Sequence, residues 1–546
     1  MGTNSSILYE NPSSTVFLVD IPTSIALAQD FSPQSNSGTS NNTEPDSITS
    51  LYKKTVKRRH IISSTPLKQP YAVSNEPKSE TARTKVLEQT PQSEKDIHGA
   101  VCLLASNALS EIKHYYPKDS EWCLPRYLLE DEDGKESGED SKQNEKARSK
   151  WLDEIRDGKR ARGKKRRQDE HPDASDGKEQ GDPQFFDIQV PSRQLSADEN
   201  DQFQRQPPLI LAPGRNRFED ESKICNTLVK NTSSDTTTIE LRDPFAIKSL
   251  RRFSFDSKQA HKRGHVREHV FIIPPLSKFI LCNLPLSDEL DYANPTPIPD
   301  LDPDQKFNLI VLDPPWANRS VRRSGHYQTQ TYLDNEMLMG YISSVFAAHS
   351  HPGPPPLPGD TLDRDKFKSN LSIAAIWTTN SAKSRAIAYG SLIESGFSIC
   401  EEWVWIKTTV EGEPVTSIEG LWRKPYEILV IGQKGRGLAS GSKDSASAGG
   451  AGVVRRVIAA VPDVHSRKPN LKELFEKVFF SSDSENGSGT EAVNGPGNKP
   501  VEYSALEVFA RNLTAGWWAC GNEVLKFNSE SWWVEADSCR HAPVKS

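Results

Sequence analysis

Asp313-Pro314-Pro315-Trp316 gathers a carboxylate, two backbone carbonyls fixed by proline rings and an indole within four residues. The preceding run, Phe307-Asn308-Leu309-Ile310-Val311-Leu312, is apolar with β-branched members and reads as a buried strand. Two consecutive prolines have no N–H to donate and a fixed φ, so the sheet ladder must stop there. In an open α/β sheet, such a loop at the carboxyl end of a strand is where ligands bind. The set suits the handling of an aromatic amine. The exocyclic amine of adenine is a weak nucleophile because its lone pair is delocalised into the ring. Its two N–H groups must be held while that lone pair is turned toward an electrophile. Asp313 can accept one N–H and the Pro314 carbonyl the other, and the Trp316 face offers stacking worth about 1–3 kcal/mol per base. The same carboxylate and indole would attract the sulfonium of S-adenosylmethionine. Taken alone, the four residues also suit a strand-ending turn over a core tryptophan.

Apolar strand patterns alternate with helical ones around this loop. Strands are expected over 270–275, 279–284, 371–379, 399–407, 428–432, 453–461 and 503–510. Helices are expected near 335–348, over 382–395, and over 470–479, where Pro469 would begin the helix. The alternation predicts an α/β fold with a parallel sheet covered on both faces. Trp403 and Trp405 are expected to pack rather than bind. Three low-complexity insertions, 350–370, 435–452 and 481–500, interrupt this catalytic region of residues 266–546.

Upstream, the composition changes in steps. Residues 1–95 are rich in Ser, Thr, Asn and Pro and are expected to be mostly disordered, with an apolar island at 16–27 that docks as a strand or serves as a sticky motif. Residues 96–128 carry Ile97, Val101, Leu104, Ala105, Ala108 and Ile112 at helical spacing, an amphipathic helix that has to pack on something. Residues 129–205 form a charged, disordered linker. It is acidic at 130–133 and then basic at Lys159, Arg160, Arg162, Lys164, Lys165, Arg166 and Arg167, a nuclear-localisation signal, an RNA tether or a solvated linker. Residues 206–265 regain strand character and read as a small accessory nucleic-acid-binding subdomain, with Arg251, Arg252, His261, Lys262 and Arg263 suited to phosphates.

At 546 residues, only 35% hydrophobic and with 38 prolines, the chain should hold one sizeable core among polar segments. The net charge of −6 means that any nucleic-acid surface must be a local patch. Seven cysteines without CxxC spacing argue for a reducing compartment and against structural zinc. No run of about 18 apolar residues suggests a membrane span. The expectation is a soluble nuclear or cytoplasmic protein that does not meet a membrane.

Further blocks accompany the tetrapeptide in a fixed order: Ala317 to Ser324, Trp403-Val404-Trp405-Ile406-Lys407, Arg423-Lys424-Pro425-Tyr426-Glu427, His465-Ser466-Arg467-Lys468-Pro469, Glu507 to Leu513, Gly516-Trp517 and Gly521 to Phe527. In these blocks the chain resembles the DPPW-type (MT-A70-like) N6-adenine methyltransferase family, and within it the methyltransferase-like protein four branch. The resemblance, over about 265–530, implies a Rossmann-like S-adenosylmethionine-dependent methyltransferase domain with permuted motif order. It implies methyl transfer to adenine N6, in this branch at an internal 2'-O-methyladenosine of small nuclear RNA, with DNA adenine as the alternative.

The resemblance also distributes roles. Asp313, Pro314, Pro315 and Trp316 would be catalytic. Asn283, Asp313, Lys468, Arg511, Asn512, Asn522 and Glu523 would bind the cofactor; the family more often carries Asp where this chain has Asn283. Asn318, Arg319, Arg322, Arg323, Lys407, Lys424, His465 and Arg467 would meet the nucleic acid. The loop 317–332, which also holds His326 and Tyr327, could close on a flipped base or be an ordinary surface loop. No GxGxxG is present, so the glycine fingerprint alone misses this site. A non-catalytic RNA-binding scaffold that keeps the fold, and methylation of cytosine N4, remain as alternatives. A monomer is expected, since this branch carries its own accessory region.

Overall fold

The structure is a computed structural model. It describes residues 5–29, 59–71, 76–77, 79–128, 207–242, 268–284, 296–316, 335–352, 371–421, 423–434, 452–464, 466–481 and 502–535. Met1–Tyr127 and Asp187–Ser546 form one compact unit; of the second, Leu128–Phe186, only Leu128 is described. The charged linker, the loop after Trp316, the basic segment 251–263 and nearly all of the three insertions lie outside the described residues.

A 12-stranded sheet organises the compact unit. In chain order its strands are β1 (Ile7–Glu10), β2 (Val16–Val19), β3 (Leu209–Ile210), β4 (Leu228–Lys230), β5 (Lys278–Leu281) and β6 (Leu309–Leu312), then β7 (Ser372–Thr378), β8 (Ser398–Lys407), β9 (Tyr426–Lys434), β10 (Val454–Ala460), β11 (Ala505–Val508) and β12 (Trp518–Gly521). In space they run β1-β2-β10-β8-β9-β7-β6-β11-β12-β5-β4-β3. The segment β7-β6-β11-β12-β5 is parallel, so the carboxyl ends of these strands share one edge. β9 runs antiparallel to both β7 and β8, because no crossover helix separates it from β8.

The helices are α1 (Ile21–Gln29), α2 (Glu80–Gln89), α3 (Gln92–Tyr115), α4 (Asn335–His349), α5 (Ala382–Glu394) and α6 (Lys472–Phe479). Side chains alternate along β6: Ile310 and Leu312 face the core beneath α3, α4 and α5, whereas Leu309 and Val311 face the one beneath α1 and α6. All four are almost fully buried, which is why the strand reads as a continuous apolar run.

Two boundaries differ from the sequence reading. Residues 5–29 belong to the fold: Val16–Leu18 pair in parallel with Val457–Ala459, and Phe17 and Leu18 are buried. The apolar island is thus a docked strand. Residues 207–242, the described part of 206–265, are not a separate subdomain. β4 pairs antiparallel with β5 and carries β3 at the sheet's end, while Thr237–Arg242 pairs with Glu268–Ile273 from the expected catalytic region. An uncovered β5 would present a row of unpaired N–H and C=O groups, and β4 satisfies them. The expected helix over 96–116 is α3, begun four residues earlier.

Candidate active site

Asp313 leaves β6 at the shared carboxyl edge, and its N–H donates to the Val508 carbonyl (3.3 Å), which fixes it beside the end of β11. The chain from β11 turns through Phe509 to Asn512, and the loop 461–471 returns from β10 to bring Lys468 over the same edge. A cavity there is lined by Val311, Asp313, Trp377, Ser466, Lys468, Glu507, Phe509, Arg511 and Asn512, among others. Two of these wall residues, Ser466 (φ 69°) and Phe509 (φ 61°), hold left-handed backbone conformations. Such conformations cost of order 1–3 kcal/mol each in residues other than glycine and persist where the surrounding fold enforces them.

Charges alternate along the site. Lys407 bonds Glu427 (2.6 Å), Glu427 meets Lys468 (3.2 Å), and Lys468 meets Asp313 (2.9 Å). Arg511 continues from Asp313 (3.3 Å) to Glu523 (2.9 Å), which also holds Lys526 (2.8 Å). Burial alone would push the Glu427 carboxyl up, but Lys407 and Lys468 together bring it down to about 2. Lys468 loses by burial and regains more from Asp313 and Glu427, so its ammonium is held charged. Glu507 is the exception: burial, with Asp313 nearby, pushes its carboxyl up to about 8, against the pull of Arg511 and Lys468. At neutral pH Glu507 is therefore a protonated carboxyl in the cavity wall.

The indole of Trp316 is tethered rather than buried. Its Nε1 donates to the Trp377 carbonyl (2.7 Å), and its backbone N–H donates to the Pro314 carbonyl (2.8 Å). Part of the turn reading therefore holds, since Trp316 packs on the core, but the ring stays half-exposed next to the carboxylate. Trp403 stacks on Phe475 and Phe479, as packing required. Trp405 meets Trp377 edge-on, and its Nε1 is buried with no hydrogen-bond partner.

The structure brings Asp313, Lys468, Arg511 and Asn512 together in the cavity wall; Trp316 does not line it and joins through its bond to the Trp377 carbonyl. Glu523 joins through Arg511, without lining the cavity. Asn283 and Asn522 sit at the adjacent carboxyl ends of β5 and β12, where Leu281 pairs with Gly521, three and two strands from β6. Lys407 reaches the site through Glu427. Two expected nucleic-acid contacts are corrected. The Lys424 side chain is 9% exposed and pairs with Glu94 of α3. Arg467 is 1% exposed, bonded to Asp463 and to the Ile62 carbonyl, and lies over both Phe527 and Trp532, which meet edge-on. A guanidinium without solvent access cannot meet a phosphate, so Arg467 clamps the fold instead. Asn318, Arg319, Arg322, Arg323 and His465 lie outside the described residues. Sequence reasoning left Glu427, Glu507 and Trp377 without roles. A lone carboxylate inside the otherwise apolar run 505–510 was the signal for Glu507.

A parallel run of strands with a carboxylate, cations and a half-buried indole at its carboxyl edge makes this an α/β domain with a ligand site at the usual place in such a sheet. Residues 360–523 match the family model described as MT-A70. The match begins after the Asp313–Trp316 loop. The chain is 37% identical over 235 residues to N6-methyladenosine RNA methyltransferase MTA1 of Cryphonectria parasitica, 42% of this chain and 55% of that one. It is 28% identical over 274 residues to N(6)-adenine-specific methyltransferase METTL4 of Homo sapiens, 49% and 46% of the two chains. It is 26% identical over 257 residues to a protein of Caenorhabditis elegans named DNA N6-methyl methyltransferase, 45% and 57%. The aligned part thus spans about half the length of the curated relatives.

Proposed function

We propose that this chain transfers a methyl group from S-adenosylmethionine to the N6 amine of adenine in nucleic acid. The observation that carries the reading is Asp313, held at the carboxyl edge between Lys468 and Arg511 with the half-exposed Trp316 beside it. The residues fit the cofactor: the buried Nδ2 of Asn512 has no partner in the cavity wall, and cations and carboxyls alternate around it. Asp313, Lys468, Arg511 and Asn512 would hold it, with the protonated Glu507 as an additional donor. When bound, it supplies an electrophilic methyl group.

The chain's own residues handle the acceptor. Asp313 and the Pro314 carbonyl take the two N–H groups of the amine and turn its lone pair, and Trp316 stacks the base. In this structure Asp313 is shared by Lys468 and Arg511, and the Pro314 carbonyl accepts the Trp316 N–H. Each oxygen keeps further acceptor capacity, and the two cations fix the carboxylate in direction.

The finer reading is an internal 2'-O-methyladenosine of small nuclear RNA, acted on by a monomer in the nucleus or cytoplasm. The relative named for RNA and the likeness to METTL4 support its substrate part. Adenine in DNA is the second reading, motivated by the relative named for DNA. The test supplies labelled S-adenosylmethionine with three oligonucleotides: RNA with adenosine, RNA with 2'-O-methyladenosine, and single-stranded DNA. Label recovered in N6-methyladenine nucleoside, strongest from 2'-O-methyl RNA and lost in Asp313→Ala, is the expected result. Absence of label from all three oligonucleotides, in a preparation that binds S-adenosylmethionine by calorimetry, refutes the activity.

A further inference from the structure

Lys230, Lys278 and Trp518 stand in register on the neighbouring strands β4, β5 and β12. Residues paired this way project from the same face of a sheet. Both ammonium groups lie over the Trp518 ring, Lys278 at 5.1 Å and Lys230 at 5.8 Å from its centre. Lys278 and Trp518 begin their strands, so the group lies at the amino edge, opposite Asp313. Three strand spacings and three residues separate them, on the order of 17 Å.

Two like charges share one indole ring here. One ammonium gains cation–π attraction over a ring, but a second adds repulsion that an anion would relieve. Burial, and then Lys230, push the Lys278 pKa down. Neither lysine has a carboxylate partner among the described residues. Other lysines at the amino edge are engaged: Lys306 donates to the Pro303 and Ala348 carbonyls, and Lys434 to Ser350 Oγ. Phe307 abuts the Trp518 ring edge-on and fixes its plane.

We propose that Lys230, Lys278 and Trp518 form a phosphate-binding site that holds the nucleic-acid backbone away from the Asp313 cavity. The proposal rests on the reading that the substrate is a nucleic acid. The two lysines neutralise backbone phosphate, and the indole keeps their stems together. Such contacts position a strand without reading its sequence.

The test compares the parent chain with the Lys230→Gln/Lys278→Gln double variant by fluorescence anisotropy, on single-stranded RNA and DNA at stepped salt. The expected result is binding weakened several-fold, with the slope of log K against log salt smaller by about 1.4 for two lost phosphate contacts. The Lys230→Arg/Lys278→Arg variant should restore it, and thermal unfolding of all three proteins should coincide. A parent that binds and a Gln variant with the same slope would overturn this site while leaving the methyltransferase reading intact. A parent that binds neither RNA nor DNA would overturn both. A parallel titration with inorganic phosphate separates a small-anion site: if phosphate raises the parent's melting temperature and not the variant's while the nucleic-acid slopes coincide, the backbone proposal fails.

Discussion

Glu507→Gln isolates a carboxyl of the cavity that is protonated near neutrality. Burial raises its pKa from the ordinary 4.5 to about 8, Asp313 adds to the rise, and Arg511 and Lys468 oppose it. Between those values the folded protein binds a proton that the unfolded chain has released. Stability from this group is therefore full below about pH 4.5, falls as pH rises, and is lost above about pH 8. The span of 8 − 4.5 = 3.5 units, at about 1.36 kcal/mol each, sets a ceiling of about 5 kcal/mol. Coupling to Asp313 and two cations spreads the titration over the cluster, so roughly half of that is expected from this carboxyl. Glutamine keeps the shape and has no proton to lose. Scanning calorimetry of parent and variant from about pH 5 to about pH 9 should show nearly equal melting temperatures at the acid end. Toward the alkaline end the variant should gain several degrees, since each kcal/mol moves a large domain by about 2–4 °C. In an Asp313→Asn background Glu507 should ionise at lower pH, so the gain should level off earlier and at a smaller value. A melting-temperature difference that stays constant across the whole range refutes the assignment.

Other perturbations separate chemistry from architecture. Trp316→Ala should raise KM for the oligonucleotide about 5- to 150-fold, the equivalent of 1–3 kcal/mol of lost stacking, and an unchanged KM would return the indole to a purely packing role. Arg467→Met removes the nearer of the two cations beside buried Asp463, leaving Arg126 at 3.9 Å, and should cost about 3 kcal/mol in urea unfolding; a normal unfolding midpoint with a reduced salt slope for RNA would instead revive its nucleic-acid role. Gly412→Ala should lower the melting temperature, because φ is +78° and the new Cβ would lie 2.4 Å from the Trp122 ring; melting at the parent temperature would mean that Trp122 yields. Phe17→Asp should leave most of the protein insoluble, since it puts an unpaired carboxylate where the N-terminal strand docks on β10; full soluble yield would show that residues 5–29 are dispensable.

The chemistry of the loop was legible because proline and aspartate act locally. Pro314 and Pro315 end β6 whatever surrounds them, and Phe307 to Leu312 must be buried on both faces to be so uniformly apolar. α3 was legible for the same reason: a period of 3.6 depends only on neighbours along the chain.

What surrounds the loop was decided elsewhere. Lys468 is 155 residues from Asp313, and Arg511 is 198 residues away, so only the return of the loop after β10 and the insertion of β11 beside β6 join them. The same applies to Arg467 and Lys424. In sequence they are basic residues in matching blocks, but Asp463 and Glu94 take them inside. Adjacent Arg467 and Lys468 end in opposite roles because successive side chains in that loop face different neighbours. Whether a charge is solvated, paired or buried depends on which distant backbone covers it. That is why the sequence by itself could name the chemistry of Asp313-Pro314-Pro315-Trp316, while the protonation of Glu507, the pairing along Lys407 to Lys526 and the exclusion of Arg467 needed the tertiary structure.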